Sequence, residues 1–170
     1  MIAKLQGILD TLQDNGAIIN VGGVGYFIFG SSRTLSELGN VGDTVTVHVE
    51  THVREDHIHL FGFLTQHERA WFQLFQTVQG VGAKAALSIL SALSTNEISE
   101  SLVAKDKNSF CRAEGVGPKL AERILNELRD KSPNLLGAAH QSLPSKKADV
   151  DQIFEDAVSA MVNLGYSRLE

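Results

Sequence analysis

A short segment of this chain occurs twice. "VQGVGAKAALSIL" covers residues 78–90, and "AEGVGPKLAERIL" covers residues 113–125. Each copy contains a Gly-Val-Gly turn, a lysine two residues after the second glycine, and a run of apolar residues at helical spacing. Two glycines separated by one residue permit a tight turn whose backbone is open to the surface. The repeat therefore predicts two helix-hairpin-helix units of the same kind.

Such a turn offers the groups that bind a phosphate. Backbone N–H groups at the start of a helix point toward an incoming anion, and the helix dipole favours its charge. The lysine of each copy can reach the same anion, and a phosphate contact carries no base information. The residues predicted to bind nucleic-acid phosphates are Gly80, Val81, Gly82 and Lys84 in the first copy, and Gly115, Val116, Gly117 and Lys119 in the second.

Other Gly-rich sites fit the repeat less well. A nucleotide-binding P-loop requires Gly-x-x-x-x-Gly-Lys-Ser/Thr, and a dinucleotide fingerprint requires a third glycine after a strand. Neither copy has these features. A turn without any ligand is a reasonable alternative for either copy alone. Two copies with matching flanking residues favour binding to the nucleic-acid backbone at two places.

The charge of the chain is unevenly distributed. The net charge of −5 disfavours an indiscriminate polyanion binder. Residues 1–64 hold three basic and seven acidic residues, and residues 134–170 hold three and five. Residues 65–133 hold nine basic and eight acidic residues. The segment with the repeated turns is thus the one that is not net negative.

The first 64 residues have the pattern of β-strands. In "TVTVHVETHVR", Val45, Val47, Val49, Thr51 and Val53 alternate with polar residues, which is typical of a half-buried strand. About five short strands separated by turn residues predict a closed barrel of the OB type over residues 1–64. The "REDH" segment at 54–57 predicts a tight reversal between two of them.

Helices are predicted for the remainder. Residues 65–133 form the predicted helical domain, with caps at Thr65 with Glu68, at Ser94 or Thr95, and at Asp106, and with Pro118 at the first position of the last helix. Residues 134–149 lack periodicity and predict a flexible linker. Residues 150–170 predict one amphipathic helix that ends at Gly165.

These features together resemble the RuvA family of bacterial proteins that bind Holliday junctions. "MIAKLQG", "VGGVGYFIF", "HVREDHIHLFGF", both repeats and "AVSAMVNLGY" occur in the order found in that family. The resemblance implies an OB-like barrel, a double helix-hairpin-helix domain and a small UBA-like three-helix domain, of which residues 150–170 would supply only the first helix. It also implies a tetramer that holds a four-way junction open, or an octamer in which two tetramers enclose the DNA.

The resemblance further implies the partners of the chain. These are the RuvB hexamer, an ATP-driven motor, and the nuclease RuvC, and the ATP and Mg2+ belong to RuvB. The residues expected to contribute to RuvB binding are Phe154, Val158, Met161 and Leu164. With no Walker motif and no nucleophile–base set, we expect a non-catalytic subunit without a cofactor. The alternatives are a glycosylase, which would need a base-flipping pocket, and a generic duplex-binding module.

The "REDH" segment contains two residues with an implied role. Residues matching Glu55 and Asp56 form an acidic pin at the centre of the RuvA tetramer, where they would repel phosphates. Two positions depart from the family: Pro118 replaces a usual lysine, and Glu114 stands where proline is common. Arg123 is expected to compensate partly at the second turn.

Histidine and cysteine give weaker signals. His48 with His52, and His57 with His59, share strand faces, a spacing that a metal could use. No cysteine or carboxylate cluster completes a site, so we interpret these histidines as polar strand surface and expect no metal. The single cysteine, Cys111, excludes an internal disulfide and fits a cytoplasmic protein. No apolar run approaches the roughly 18 residues of a membrane span.

Overall fold

The computed structural model of the chain describes residues 1–131, without the side chain of Asp130. The predicted linker at 134–149 and the predicted helix at 150–170 lie outside the described residues. The same holds for the four residues expected to contribute to RuvB binding.

Five β-strands form a closed barrel at the start of the chain. They are β1 (Lys4–Gln13), β2 (Gly16–Val21), β3 (Val24–Phe29), β4 (Thr44–Val53) and β5 (Ile58–Phe63). Around the barrel they follow the order β1-β2-β3-β5-β4, with β1 paired to both β2 and β4. The parallel pairing of β3 with β5 closes the barrel. The prediction of an OB-like barrel is confirmed.

The β4–β5 hairpin extends beyond the barrel. The first half of β4 pairs with β1, whereas its last residues pair only with β5, up to Val53 opposite Ile58. Val45, Val47 and Val49 are buried as the alternation predicts. Val53 was predicted on the same buried face, but it is 70% exposed, and Ile58 is 64% exposed. That prediction is wrong because, within residues 1–131, no third strand pairs with the end of the hairpin.

Six helices accompany the barrel within the described residues. They are α1 (Ser32–Glu37), α2 (Gln66–Gln76), α3 (Ala83–Ala92), α4 (Thr95–Ala104), α5 (Lys107–Cys111) and α6 (Pro118–Lys131). The predicted caps are confirmed: Thr65 forms a capping box with Glu68, Ser94 caps α4, and Asp106 caps α5. None of these helices is long and apolar enough to cross a membrane.

Strand β5 contributes to the core of the helical region as well as to the barrel. Phe61 and Phe63 belong to the same buried cluster as Trp71, Phe72 and Phe75 of α2. The ring centroids of Phe63 and Phe72 lie 4.9 Å apart, and those of Phe61 and Phe72 lie 5.0 Å apart. Buried side chains therefore pack across the predicted boundary between residues 64 and 65.

Two histidines of the barrel, His52 and His59, contact aromatic rings. The ring of His52 lies 4.9 Å from that of Phe61, and the ring of His59 lies 4.9 Å from that of Phe29. Both histidines are half-buried. Both therefore remain partly exposed on the strands, as predicted, but they also contact the phenylalanines of their strand face, which packs against α2 through Phe72. In residues 1–131, no three His, Cys, Asp or Glu side chains are grouped to hold a metal ion.

The carboxylate of Glu97 joins three parts of the fold. It accepts a hydrogen bond of 2.7 Å from the N–H of Ser94 in the capping box of α4. The guanidinium groups of Arg112 and Arg33 lie 3.7 and 3.8 Å from its oxygens. The hydrogen bonds from Ser94, and then the two guanidinium groups, hold the pKa of Glu97 below its ordinary value. Since that pKa is lowered on folding, the ionised carboxylate stabilises the folded state at neutral pH.

We expect Glu97→Gln to lower the free energy of unfolding by about 0.5–1 kcal/mol at pH 7. The stabilisation is present above the unfolded pKa and is lost as the pH falls through the folded pKa. The difference between the two proteins should therefore shrink below about pH 4.3. Urea unfolding at several pH values measures this difference. Glu100→Gln, at an exposed position on the same helix, is the matched control, and an equal loss there would contradict the role of Glu97.

Candidate nucleic-acid interface

The first Gly-Val-Gly turn joins α2 to α3. The N–H of Val81 donates to the carbonyl of Val78 at 3.0 Å, and the N–H of Ala86 donates to the carbonyl of Gly82 at 3.0 Å. Gly80 has a φ of +93°, a conformation that side chains with a Cβ rarely adopt. The side chain of Val81 is buried, whereas both glycines are exposed. The valine thus anchors the turn in the core, and the glycines leave its backbone open to solvent.

The second turn joins α5 to α6 and repeats each of these features. The N–H of Val116 donates to the carbonyl of Ala113 at 3.1 Å, and the N–H of Ala121 donates to the carbonyl of Gly117 at 2.9 Å. Gly115 has a φ of +80°, and Val116 is buried between two exposed glycines. The similarity of the two sequence segments therefore extends to backbone conformation, hydrogen bonding and burial.

The two valines serve the turns rather than offering donors to a ligand. Both Val81 and Val116 were among the residues predicted to bind phosphate, but their N–H groups are used within the turns. The available donors lie further along, at the start of the following helix, where the first N–H groups have no intrahelical partner. Gly82 is the N-cap residue of α3, and no side chain of the described residues caps that helix. The first turn of α3 can therefore accept an anion.

The lysine that follows each turn is exposed. Lys84 lies in the first turn of α3, and Lys119 lies in the first turn of α6. Neither lysine forms a salt bridge with another residue in the part of the chain that the structure describes. Both ammonium groups are therefore available to a negatively charged ligand beside the helix N-termini.

Arg123 connects the two helix-hairpin-helix units. Its Nη1 donates to the carbonyl of Gln79, at the start of the first turn, over 2.9 Å. A methyl group placed on Gly80 would lie 3.5 Å from this Nη1 and 3.5 Å from Leu120 of α6. The first turn therefore lies against the helix of the second unit. Arg123 was expected to compensate at the second turn, but its guanidinium contacts the first.

The acidic reversal between β4 and β5 lies at the end of the extended hairpin. The N–H of Arg54 donates to the carbonyl of His57 at 2.9 Å, which confirms the predicted reversal. Glu55 is exposed, and the side chain of Asp56 is 79% exposed. Nδ1 of His57 lies 2.7 Å from a carboxylate oxygen of Asp56, a contact that the sequence pattern did not predict. Two carboxylates are thus presented to solvent at the end of a two-stranded projection.

The four glycines of the turns allow backbone strain to be separated from ligand access. We expect Gly80→Ala and Gly115→Ala to lower the free energy of unfolding by about 1–2 kcal/mol each, because a Cβ disfavours positive φ. Gly82 and Gly117 lie outside that region, and a methyl group on either would meet no atom within 4 Å. Their alanine variants should keep their stability and should weaken DNA binding, because the methyl group hinders the approach of a phosphate.

Thermal unfolding and DNA-binding assays on the four variants measure the two effects independently. Within each turn, the variant at the first glycine and the variant at the second glycine are controls for each other, because both add one methyl group to the same exposed turn. Normal DNA binding by both Gly82→Ala and Gly117→Ala would show that the DNA does not approach these backbones.

Comparisons with known proteins agree with this architecture. Residues 1–62 match the family model "RuvA N terminal domain", and residues 72–130 match the "SAM-like Helix-hairpin-helix tandem". A relative from Rhodospirillum centenum is 49% identical over 175 residues, covering 100% of this chain and 85% of the relative. Relatives from Brucella canis and Sinorhizobium fredii are 47% and 45% identical over 172 residues, covering 99% of this chain and 84% of each relative.

All three relatives are named "Holliday junction branch migration complex subunit RuvA". Both the barrel and the tandem of helix-hairpin-helix units carry a family match, and the identity extends over nearly the whole chain. This chain belongs to the RuvA family.

Proposed function

We propose that this chain binds four-way Holliday junction DNA by its structure rather than by its sequence, as a subunit of a branch-migration complex. The observation that carries the proposal is the pair of turns with equivalent hydrogen bonds, each followed by an exposed lysine, on the same folded unit as an exposed acidic reversal. The turns supply attraction for phosphates, and the reversal supplies repulsion.

The proposed binding mechanism follows from the positive charge beside the two turns and the negative charge of the reversal. The N–H groups and the lysines beside the turns bind phosphates along a duplex arm, and these contacts do not depend on base sequence. We propose that four copies assemble around the crossover, so that each copy holds one arm. The Glu55 and Asp56 side chains of all four copies then meet at the centre. A continuous duplex would place phosphates against these carboxylates, whereas an open junction leaves its centre free.

The proposed role is recognition and presentation, without catalysis on this chain. In a branch-migration complex, the work of moving the junction requires ATP hydrolysis. We propose that the RuvB hexamer supplies it with bound ATP and Mg2+, and that RuvC is the nuclease that acts on the same junction. Residues 150–170, with Phe154, Val158, Met161 and Leu164, are proposed to contribute to RuvB binding. The apolar spacing of these four residues in the sequence supports this assignment.

Binding to a four-way junction and to a linear duplex with the same number of base pairs tests the proposal. We expect the junction to bind more tightly at equal ionic strength, and we expect the free protein to have the mass of a tetramer by light scattering. Equal affinity for the two DNAs would instead support a generic duplex-binding module. A monomer that still prefers the junction would contradict the central placement of the carboxylates.

A further inference from the structure

The acidic reversal also contains side chains that can become positively charged. Residues 54–59 comprise one arginine, two carboxylates, two histidines and one isoleucine. With neutral histidines the segment has a formal charge of −1. One protonated histidine brings the charge to zero, and two make it positive. Imidazole is the side chain whose charge ordinarily changes between pH 5 and pH 8.

His57 is placed to act on the carboxylate beside it. Its Nδ1 lies 2.7 Å from Oδ1 of Asp56, and its side chain is 35% exposed, so that solvent can deliver a proton. In the neutral form Nδ1–H donates to the carboxylate, and Nε2 has an unshared pair that can take up a proton. Protonation at Nε2 leaves the Asp56 contact intact and converts it into an ion pair.

His57 has several charged or titratable neighbours among the described residues. The ring of His59 lies 4.2 Å from that of His57, and across the strand pair His59 is opposite His52. His59 also lines a cavity of about 370 Å³ together with Lys84. The groups beside His57 are Arg54, Glu55 and Asp56 on the reversal and His59 on β5. Beyond them, His52 on β4 lies opposite His59, and Lys84 on α3 lines the same cavity as His59.

We propose that His57 is a specificity-determining residue that makes the charge of the acidic reversal, and thereby the discrimination between junction and duplex, depend on pH. This inference rests on the proposed function. With its histidines neutral, the reversal is negative and repels a continuous duplex. With a proton on both ring nitrogens, the imidazole of His57 is positively charged at 2.7 Å from Asp56, so it offsets that carboxylate and the repulsion weakens. Duplex binding then tightens relative to junction binding.

Measuring Kd for a four-way junction and for a linear duplex at about pH 8 and about pH 5.5, at constant ionic strength, tests this inference. For the unmodified protein we expect the junction-to-duplex preference to fall on the order of fivefold or more. This corresponds to the effect of one unit charge at about 4 Å in water. His57→Gln should remove most of that pH dependence while keeping the preference at pH 8. His57→Asn is a second variant, so that the result does not depend on how one side chain packs.

His48→Gln is the matched control. His48 is a half-buried histidine in the middle of β4, where it pairs with Lys4 and Phe63 inside the barrel, away from the reversal that follows Val53. The His48→Gln variant should show the same change in junction-to-duplex preference between the two pH values as the unmodified protein. A preference that stays constant between the two pH values, or a full pH dependence in both His57 variants, would overturn the inference and leave the proposed function intact. Equal affinities at pH 8 would overturn the proposed function and this inference with it.

Discussion

Replacing Lys84 and Lys119 with alanine is expected to weaken junction binding strongly and to flatten its dependence on salt. Each neutralised phosphate contributes about −0.9 to the slope of log affinity against log salt concentration. In a tetramer each lysine occurs four times, so each single variant should reduce the steepness by about 3–4, and the double variant by roughly twice that amount. Titrations of labelled junctions at several salt concentrations measure the slope. The loss should be the same for junctions with different arm sequences, because phosphate contacts do not read bases.

Lys4→Ala is the control for this experiment. Lys4 is an exposed lysine of β1 on the barrel, and its removal subtracts the same charge from a different surface. We expect little change in slope for this variant. If the slope were unchanged in both Lys84→Ala and Lys119→Ala, the two turns would not be the phosphate-binding elements, and the proposed mode of binding would have to be abandoned.

Neutralising the acidic reversal with Glu55→Gln and Asp56→Asn is expected to strengthen binding to linear duplex DNA. Both side chains are exposed at the end of the hairpin, so stability should change by no more than about 0.5 kcal/mol. Affinity for linear duplex should rise because the central repulsion is removed, and the preference for the junction should shrink. Competition between labelled junction and unlabelled duplex reports the preference directly.

A second double variant, Asp10→Asn with Asp14→Asn, controls for the change in net charge. These exposed carboxylates lie on β1 and in the turn that follows it, and their loss alters the total charge by the same amount. The preference should persist in this control. If the variant of the reversal instead kept its duplex affinity and lost junction affinity, its carboxylates would have an attractive role, and the electrostatic account would be wrong.

Much of the fold could be predicted from local sequence signals. The alternation in β4 predicted which of Val45, Val47 and Val49 face the core, since a strand places successive residues on opposite faces. The caps at Thr65, Ser94 and Asp106 depend on side chains within a few residues of the groups they bind, so that their patterns are visible in the sequence. The repeated turns belong to the same class of local signal.

Contacts between distant segments could not be predicted in this way. The hydrogen bond from Arg123 to Gln79 joins residues 44 positions apart, and only the packing of α6 against the first turn brings them together. The contact of His52 with Phe72 likewise depends on a helix that follows the barrel. The alternation of apolar and polar residues also predicted burial at Val53 wrongly. Alternation indicates which face of the strand a residue lies on, but it does not indicate where the neighbouring strands end.

Strand β5 belongs both to the barrel and to the core of the helical region, and this affects how the chain folds and whether it can be divided into fragments. Phe61 and Phe63 complete the core around Trp71 and Phe72, yet β5 takes its position from the pairing with β4, which in turn pairs with β1 about 40 residues earlier in the chain. We therefore expect the helical core to reach its final packing together with the barrel, whose pairing of β1 with β4 is long-range and slow to form. A fragment that begins at Thr65 would contain both repeated turns, but it would leave a large aromatic surface uncovered and prone to aggregate.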